Sequence, residues 1–306
     1  MNAFPALLAA SISGGTPLLL AALGLLINEK SGVVNLGAEG MMLVAAIAGF
    51  AVTYHSGSVT LGFIAGALAG MLMAALFGWL TIWLGANQYA TGLALSLFGA
   101  GVSAFIGINY VGKNLTVTHG GFALLQGLPL LGAAPFQQHP MVYLSILLCG
   151  AIGWFLYRTR AGLVLRAVGE APESAHALGY DVRRIRLTAV LFGGACCGLA
   201  GAFLSVVYTP LWVEGMVAGR GWIALALTTF ATWRPARVLI GAYLFGSVTI
   251  LQFYLQGIGV PLASQLLSML PYLATIIVLV LMSRNAGFIR INMPASIGKN
   301  FDRDAL

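Results

Sequence analysis

Apolar stretches near the length needed to cross a bilayer follow one another along almost the whole chain, and no other feature constrains the fold as much. A hydrocarbon core about 30 Å thick takes about 20 apolar residues in a helix that rises about 1.5 Å per residue. Nine segments approach this length, at 4–27, 39–54, 60–84, 87–108, 141–157, 188–208, 216–232, 238–257 and 266–282. Lipid offers no partner to an exposed backbone N–H or C=O, so such segments must be helices. The expected fold class is an all-α polytopic membrane protein. Residues 1–306 are read as a single transmembrane domain with an external loop at 109–139, a cytoplasmic segment at 158–187 and a cytoplasmic C-terminal tail at 283–306. Charged side chains make up 8% of the chain, against about 25% in soluble domains, which excludes a water-soluble enzyme, a disordered chain and a secreted domain. The first segment lacks a basic region ahead of it, and Glu29 and Lys30 follow it, so it reads as a retained helix rather than a signal peptide.

The placement of the basic residues gives an orientation. With the N-terminus outside, one face receives Lys30, the six arginines between Arg158 and Arg186, Arg234, Arg237, Arg284, Arg290, Lys299 and Arg303, which is 13 of 15. The other receives Lys113 and Arg220. The positive-inside bias assigns the richer face, and with it the C-terminus, to the cytoplasm. The net charge of +7 is then an orientation signal. Nucleic-acid binding would need aromatics interleaved with the basic residues, and the arginine segment offers Tyr180 alone.

Forty glycines fit helices that approach closely where lipid supplies no hydrophobic drive between them. Gly62, Gly66 and Gly70, and Gly194 and Gly198, recur every four residues. Cys149, Cys196 and Cys197 lie inside apolar runs and read as small packing residues.

Two spans are irregular. Residues 39–54 make a helix of about 24 Å, too short unless Val33 to Ala38 enters the bilayer as non-helical backbone. The seventh has 11 cleanly apolar residues, from Trp222 to Thr232, preceded by Glu214, Gly215, Gly219, Arg220 and Gly221. Each begins with a charged residue between small ones, Ala38-Glu39-Gly40 and Gly219-Arg220-Gly221, and as the second and seventh spans they are five apart in order. An odd separation means opposite directions, the trace expected of inverted repeats whose broken helices meet near a transport pathway. Within the cytoplasmic segment, Pro172, the helix-favouring stretch from Glu173 to Leu178 and a stop at Gly179 predict a short helix. The external loop has room for a short amphipathic element from Phe122 to Leu131.

The chemistry absent from the chain narrows its function. The phosphate-cradling pattern G-x-x-x-x-G-K-[ST] does not occur, since Asn114 follows Gly112-Lys113 and Asn300 follows Gly298-Lys299. Neither H-E-x-x-H nor a serine with an intramembrane histidine is present, so no enzyme, metal or cofactor is expected. No charge falls at a span centre, which weakens a carrier driven by protons or sodium. Asn87, Gln88, Thr91, Thr228, Thr229, Gln252 and Gln256 are neutral polar groups within the spans and suit a neutral hydrogen-bonding solute.

Three stretches carry a resemblance. INEKSGVVNLGAEGMMLVAA (Ile27 to Ala46), VGEAPESAHALGYDVRRIRL (Val168 to Leu187) and EGMVAGRGWIALAL (Glu214 to Leu227), in this order, resemble the permease subunits of bacterial ABC importers for nucleosides and simple sugars. The resemblance is strongest to the shorter permease of nucleoside importers fed by a basic-membrane-protein-type binding lipoprotein. It implies a type II importer-like fold, the plasma (inner) membrane of a bacterium, a second permease subunit, a cytoplasmic ABC ATPase and an extracytoplasmic binding protein. It implies ATPase docking by Gly169, Glu170, Pro172, Ala175, Gly179 and Arg183, with Ser174 standing where the family usually has alanine. Ala231 replaces a glycine of the family's F-G-x-W-x-P pattern.

Candidates for the translocation pathway are Asn35, Glu39, Asn87, Gln88, Glu214, Arg220 and Trp222. Each also has a plainer reading. Glu39 can be an ordinary first-turn acid favoured by the helix dipole, and Asn35 a turn residue. Glu214 and Arg220 can pair with each other, Trp222 can anchor at the interface, and Asn87 and Gln88 can bond between helices. The expected function is a permease of an ATP-driven nucleoside or sugar importer. The alternatives are a stand-alone carrier or facilitator and a membrane scaffold.

Overall fold

The computed structural model describes residues 3–115, 138–259, 263–283 and 292–301. Among these the chain is helical, apart from turns and one isolated antiparallel bridge between Asn114 and Leu211. The expected element from Phe122 to Leu131 lies outside the described residues.

Among the described residues, seven helices are long and apolar enough to cross a membrane. They are α1 (Ala3–Lys30), α2 (Ala38–Ser56), α3 (Val59–Gly78, carried on by a π-helical turn to Trp83), α4 (Gln88–Gly107), α5 (Pro140–Arg158), α8 (Val182–Phe203, carried on to Tyr208) and α10 (Pro235–Gly257). The other two expected spans are shorter among the described residues. The segment at 216–232 yields α9, Arg220–Phe230, because turns with positive φ at Gly215, Ala218 and Gly219 consume its first residues. The segment at 266–282 is split into α11 (Ser264–Ser268) and α12 (Leu270–Ser283). Pro271, in the first turn of α12, has no N–H to continue the ladder from the preceding turn.

Helix α1 is apolar around its whole circumference and lies at the centre. Leu18 to Ile27 pack against α5, α8, α9 and α10 on all sides, with every described side chain in that run buried. Helix α2 sits between α3, α4 and α8, and α3 lies along α8. The glycine spacing read from the sequence is that last interface. A methyl on Gly70 would stand 2.2 Å from the Gly194 carbonyl oxygen, and one on Gly198 would stand 2.3 Å from that of Gly66. Only hydrogens fit between these backbones, so the contact gains dispersion energy that any side chain would forfeit. The three cysteines are free and buried, as packing residues should be.

The segment at 158–187 holds two helices rather than one. Helix α6 spans Arg160–Glu170, with Thr159 accepting the Gly162 N–H at its start, and α7 spans Pro172–Ala177. The additional helix buries Leu165 and Val168 on one face, an amphipathic pattern masked in the sequence by its flanking arginines.

Candidate functional site

The chain leaves helical geometry at Ser31 and regains it at Ala38. Gly32 adopts φ of +90°, open to glycine at little cost, and Ser31 to Asn35 are all buried. Buried non-helical backbone needs partners, and α4 supplies two of them. The Val34 N–H donates to Gln88 Oε1 at 2.9 Å, and Ser96 Oγ donates to the Leu36 carbonyl at 2.8 Å. Asn35 Oδ1 accepts the Gly37 N–H at 2.9 Å. Gln88 and Asn35, both candidates for solute contact, thus also hold the break. Asn87 caps α4, accepting the N–H groups of Tyr89 and Ala90.

The two irregular spans meet. Glu39, in the first turn of α2, accepts the Gly219 N–H at 2.8 Å through Oε1 and the Gly221 N–H at 2.7 Å through Oε2. A methyl on Gly221 would stand 2.6 Å from the Glu39 Cα, so the backbones are in contact too. One carboxylate therefore lies at the N-terminal ends of two helices, where orphan N–H groups and both dipoles favour negative charge. Four membrane-length helices, α3, α4, α5 and α8, intervene, so α2 and α9 run in opposite directions and start from opposite faces. Starts from opposite faces touch only where each has receded into the apolar layer.

Glu214 is exposed and forms no ion pair with Arg220. The Arg220 guanidinium instead donates to the Met216 and Val217 carbonyls at 3.1 and 3.2 Å and lies over the Tyr208 ring. Trp222, in the first turn of α9 and next to Gly221, is 38% exposed.

A second carboxylate holds the far end of α9, and sequence reasoning missed it. Glu29, buried near the end of α1, accepts from Thr228 Oγ at 3.0 Å and from the Trp233 indole N–H. Thr232 and Trp233 take positive φ to bring the indole inward. Glu29 and Glu39 flank the first break and clasp the two ends of α9, 11 residues and about 16 Å long. The signal was present, since Glu29 comes two residues after one apolar run and Trp233 closes another. Thr228, read as a group for solute, is hydrogen-bonded to this carboxylate.

At the other candidate locus, Pro172 occupies the first turn of α7, Ala175 is buried against Val168 and Val182, and Gly179 ends the helix with φ of +89°. Gly169 lets the end of α6 lie against the Lys30 carbonyl, where a methyl would approach to 2.2 Å. Glu170 accepts the Ala295 N–H at 3.2 Å. Arg183, His176, Tyr180, Trp83 and Phe301 line a cavity of about 360 Å³ beside α7.

Residues 7–282 match the family described as the branched-chain amino acid transport system permease component. The chain belongs to that family. The permease is 41% identical to a putative glucose ABC transporter permease protein of Haloferax volcanii, over 97% of this chain and 98% of the relative. It is 30% identical to a nucleoside ABC transporter permease protein of Lactococcus lactis, over 92% and 93%. It is also 30% identical to a guanosine ABC transporter permease protein of Bacillus subtilis, over 88% and 89%. No solved structure matches it. The permease is thus a multi-pass transport subunit rather than an enzyme.

Proposed function

We propose that this permease forms one half of the pore of an ATP-driven importer for nucleosides or simple sugars and works by alternating access. Its motor would be a separate cytoplasmic ATPase docking on α6, α7 and the start of α8, its donor an extracytoplasmic binding protein, and its other half a second, related permease. The observation that carries the reading is the clasp of Glu39 on Gly219 and Gly221, because the meeting of two broken helices that run in opposite directions is the arrangement around which alternating access turns. The type II importer-like fold with inverted repeats, the C-terminal segment facing the cytoplasm and the plasma membrane as location belong to the same reading.

Substrate class and pairing are supported by the relatives. Those at 30% identity or more are described as glucose, nucleoside and guanosine permeases. Haloferax volcanii and Bacillus subtilis each contribute a second matching permease, as a paired importer would. The test is uptake of labelled nucleosides, glucose and pentoses by cells with and without this chain. Loss of uptake of one class on deletion is expected, and unchanged uptake of every solute in the panel would refute the assignment.

A further inference from the structure

Ten residues of the C-terminal segment reach four parts of the fold, the end of α6, α7, the first break and the start of α4. Residues 292–301 contain a short turn from Ala295 to Gly298 and no long helix. The Ser296 N–H and Oγ both donate to the Gly169 carbonyl, at 3.0 and 2.7 Å, and the Ala295 N–H donates to Glu170, which joins the segment to the end of α6. Phe301 packs edge-on to the His176 ring of α7, with centroids 5.6 Å apart. The Gly298 N–H donates to the Gly32 carbonyl at 3.0 Å, and Lys30 Nζ donates to the Asn292 carbonyl at 2.7 Å, which joins it to the first break. Asn300 donates to the Gly85 and Ala86 carbonyls and accepts from Gln88 Nε2 at 3.0 Å.

Arg186 fixes the segment from behind. Its guanidinium is buried in the first turns of α8 and donates to the Ser31 carbonyl, the Lys299 carbonyl and Ser296 Oγ, at 3.2, 2.9 and 3.0 Å. A buried cation is costly unless its donors are filled, and the planar fork spreads them over the break and the segment together. Gln88 completes the route, because its amide nitrogen holds Asn300 while its oxygen holds the Val34 N–H.

We infer that residues 292–301 are a strap that transmits movement of the α6–α7 segment to the break between α1 and α2, with Arg186, Ser296 and Asn300 as its positioning residues. This rests on the ATP-driven reading, in which α6 and α7 are displaced by the motor. A segment hydrogen-bonded to both ends of such a movement carries displacement, whereas a solvated tail carries none. The strap thereby ties the motor side to the short backbone stretch that leads into Glu39.

The experiment uses the whole importer in proteoliposomes and compares wild type with Ser296→Ala/Asn300→Ala and with Arg186→Lys. It reads ATP hydrolysis stimulated by loaded binding protein, uptake per ATP hydrolysed, and co-purification of the ATPase. Transmission through the strap gives hydrolysis within about twofold of wild type and uptake per ATP about tenfold lower. Unchanged uptake per ATP overturns the proposal. Loss of ATPase co-purification overturns it also, since the strap would then only shape the docking face. Absence of ATP-dependent uptake in the wild-type importer would refute the ATP-driven reading instead.

Discussion

The Glu39 carboxylate accepts the backbone N–H groups of Gly219 and Gly221, residues 180 and 182 positions away, at 2.8 and 2.7 Å. It bridges the starts of α2 and α9 with one backbone hydrogen bond to each oxygen.

Replacing that carboxylate separates charge from contact. Glu39→Ala leaves two N–H groups without their partner, at a cost of about 1–3 kcal/mol each if they stay dry. Uptake is expected to fall more than about tenfold. Glu39→Gln keeps one acceptor oxygen but turns an amide N–H₂ toward a donor, so an intermediate loss is expected. Initial uptake rates and the melting temperature of the purified importer check both. Equal, undiminished uptake in the two variants would show that the clasp is dispensable.

Trp233→Phe removes the indole donor to Glu29 while preserving most of the buried ring volume. The carboxylate then relies on Thr228, and a destabilisation of about 1–3 kcal/mol is expected, as for a charged group deprived of one hydrogen bond. The Tm should fall, and a Thr228→Val/Trp233→Phe double variant should lose more than either alone. A Tm equal to wild type in the double variant would remove the far clasp from the account.

Close helix approach predicts a contrast between glycines. Gly198→Ala places a methyl 2.3 Å from the Gly66 carbonyl oxygen, whereas Gly101→Ala meets nothing within 4 Å. Overpacking costs about 1–3 kcal/mol, so the first variant should lower Tm and membrane yield while the second should leave both as they are.

Gly32→Ala is strained twice. The residue sits at φ of +90°, and its methyl would stand 2.5 Å from Ser296 Oγ. Removing the hydroxyl with Ser296→Ala should restore part of the lost stability but not the backbone portion, which is about 1–3 kcal/mol for a non-glycine residue in a sparsely populated region. A double-mutant cycle on Tm reads the coupling between break and strap directly.

Seven of the nine expected spans, and the first break, were legible because hydropathy and helix length obey the bilayer. The interruption from Ser31 to Gly37 falls where Val33 to Ala38 was expected to leave helical geometry, and the two charged-between-small motifs do meet. What stayed hidden depends on distant pairing. Gln88 and Thr228 read as groups for solute, and only the fold shows their partners to be Val34 and Glu29. The strap was invisible because a short segment of mixed polar and apolar residues with one proline, Pro294, carries no periodicity. Its hydrogen bonds are largely to backbone carbonyls, which leave no trace in residue identity. The alternative of a pairing between Glu214 and Arg220 failed for a local reason, since the guanidinium satisfies carbonyls of its own preceding turn.

Access at the meeting point of the broken helices tests the central claim most directly. Trp222→Cys would be labelled with a membrane-impermeant thiol reagent in the assembled importer, with and without ATP trapped in the motor, beside Leu97→Cys on the exposed face of α4. The native Cys149, Cys196 and Cys197 are buried and supply the background. A pathway that opens to one face at a time gives labelling at Trp222→Cys that changes several-fold with nucleotide state while that at Leu97→Cys does not. Equal labelling at Trp222→Cys in both states would contradict alternating access through this site.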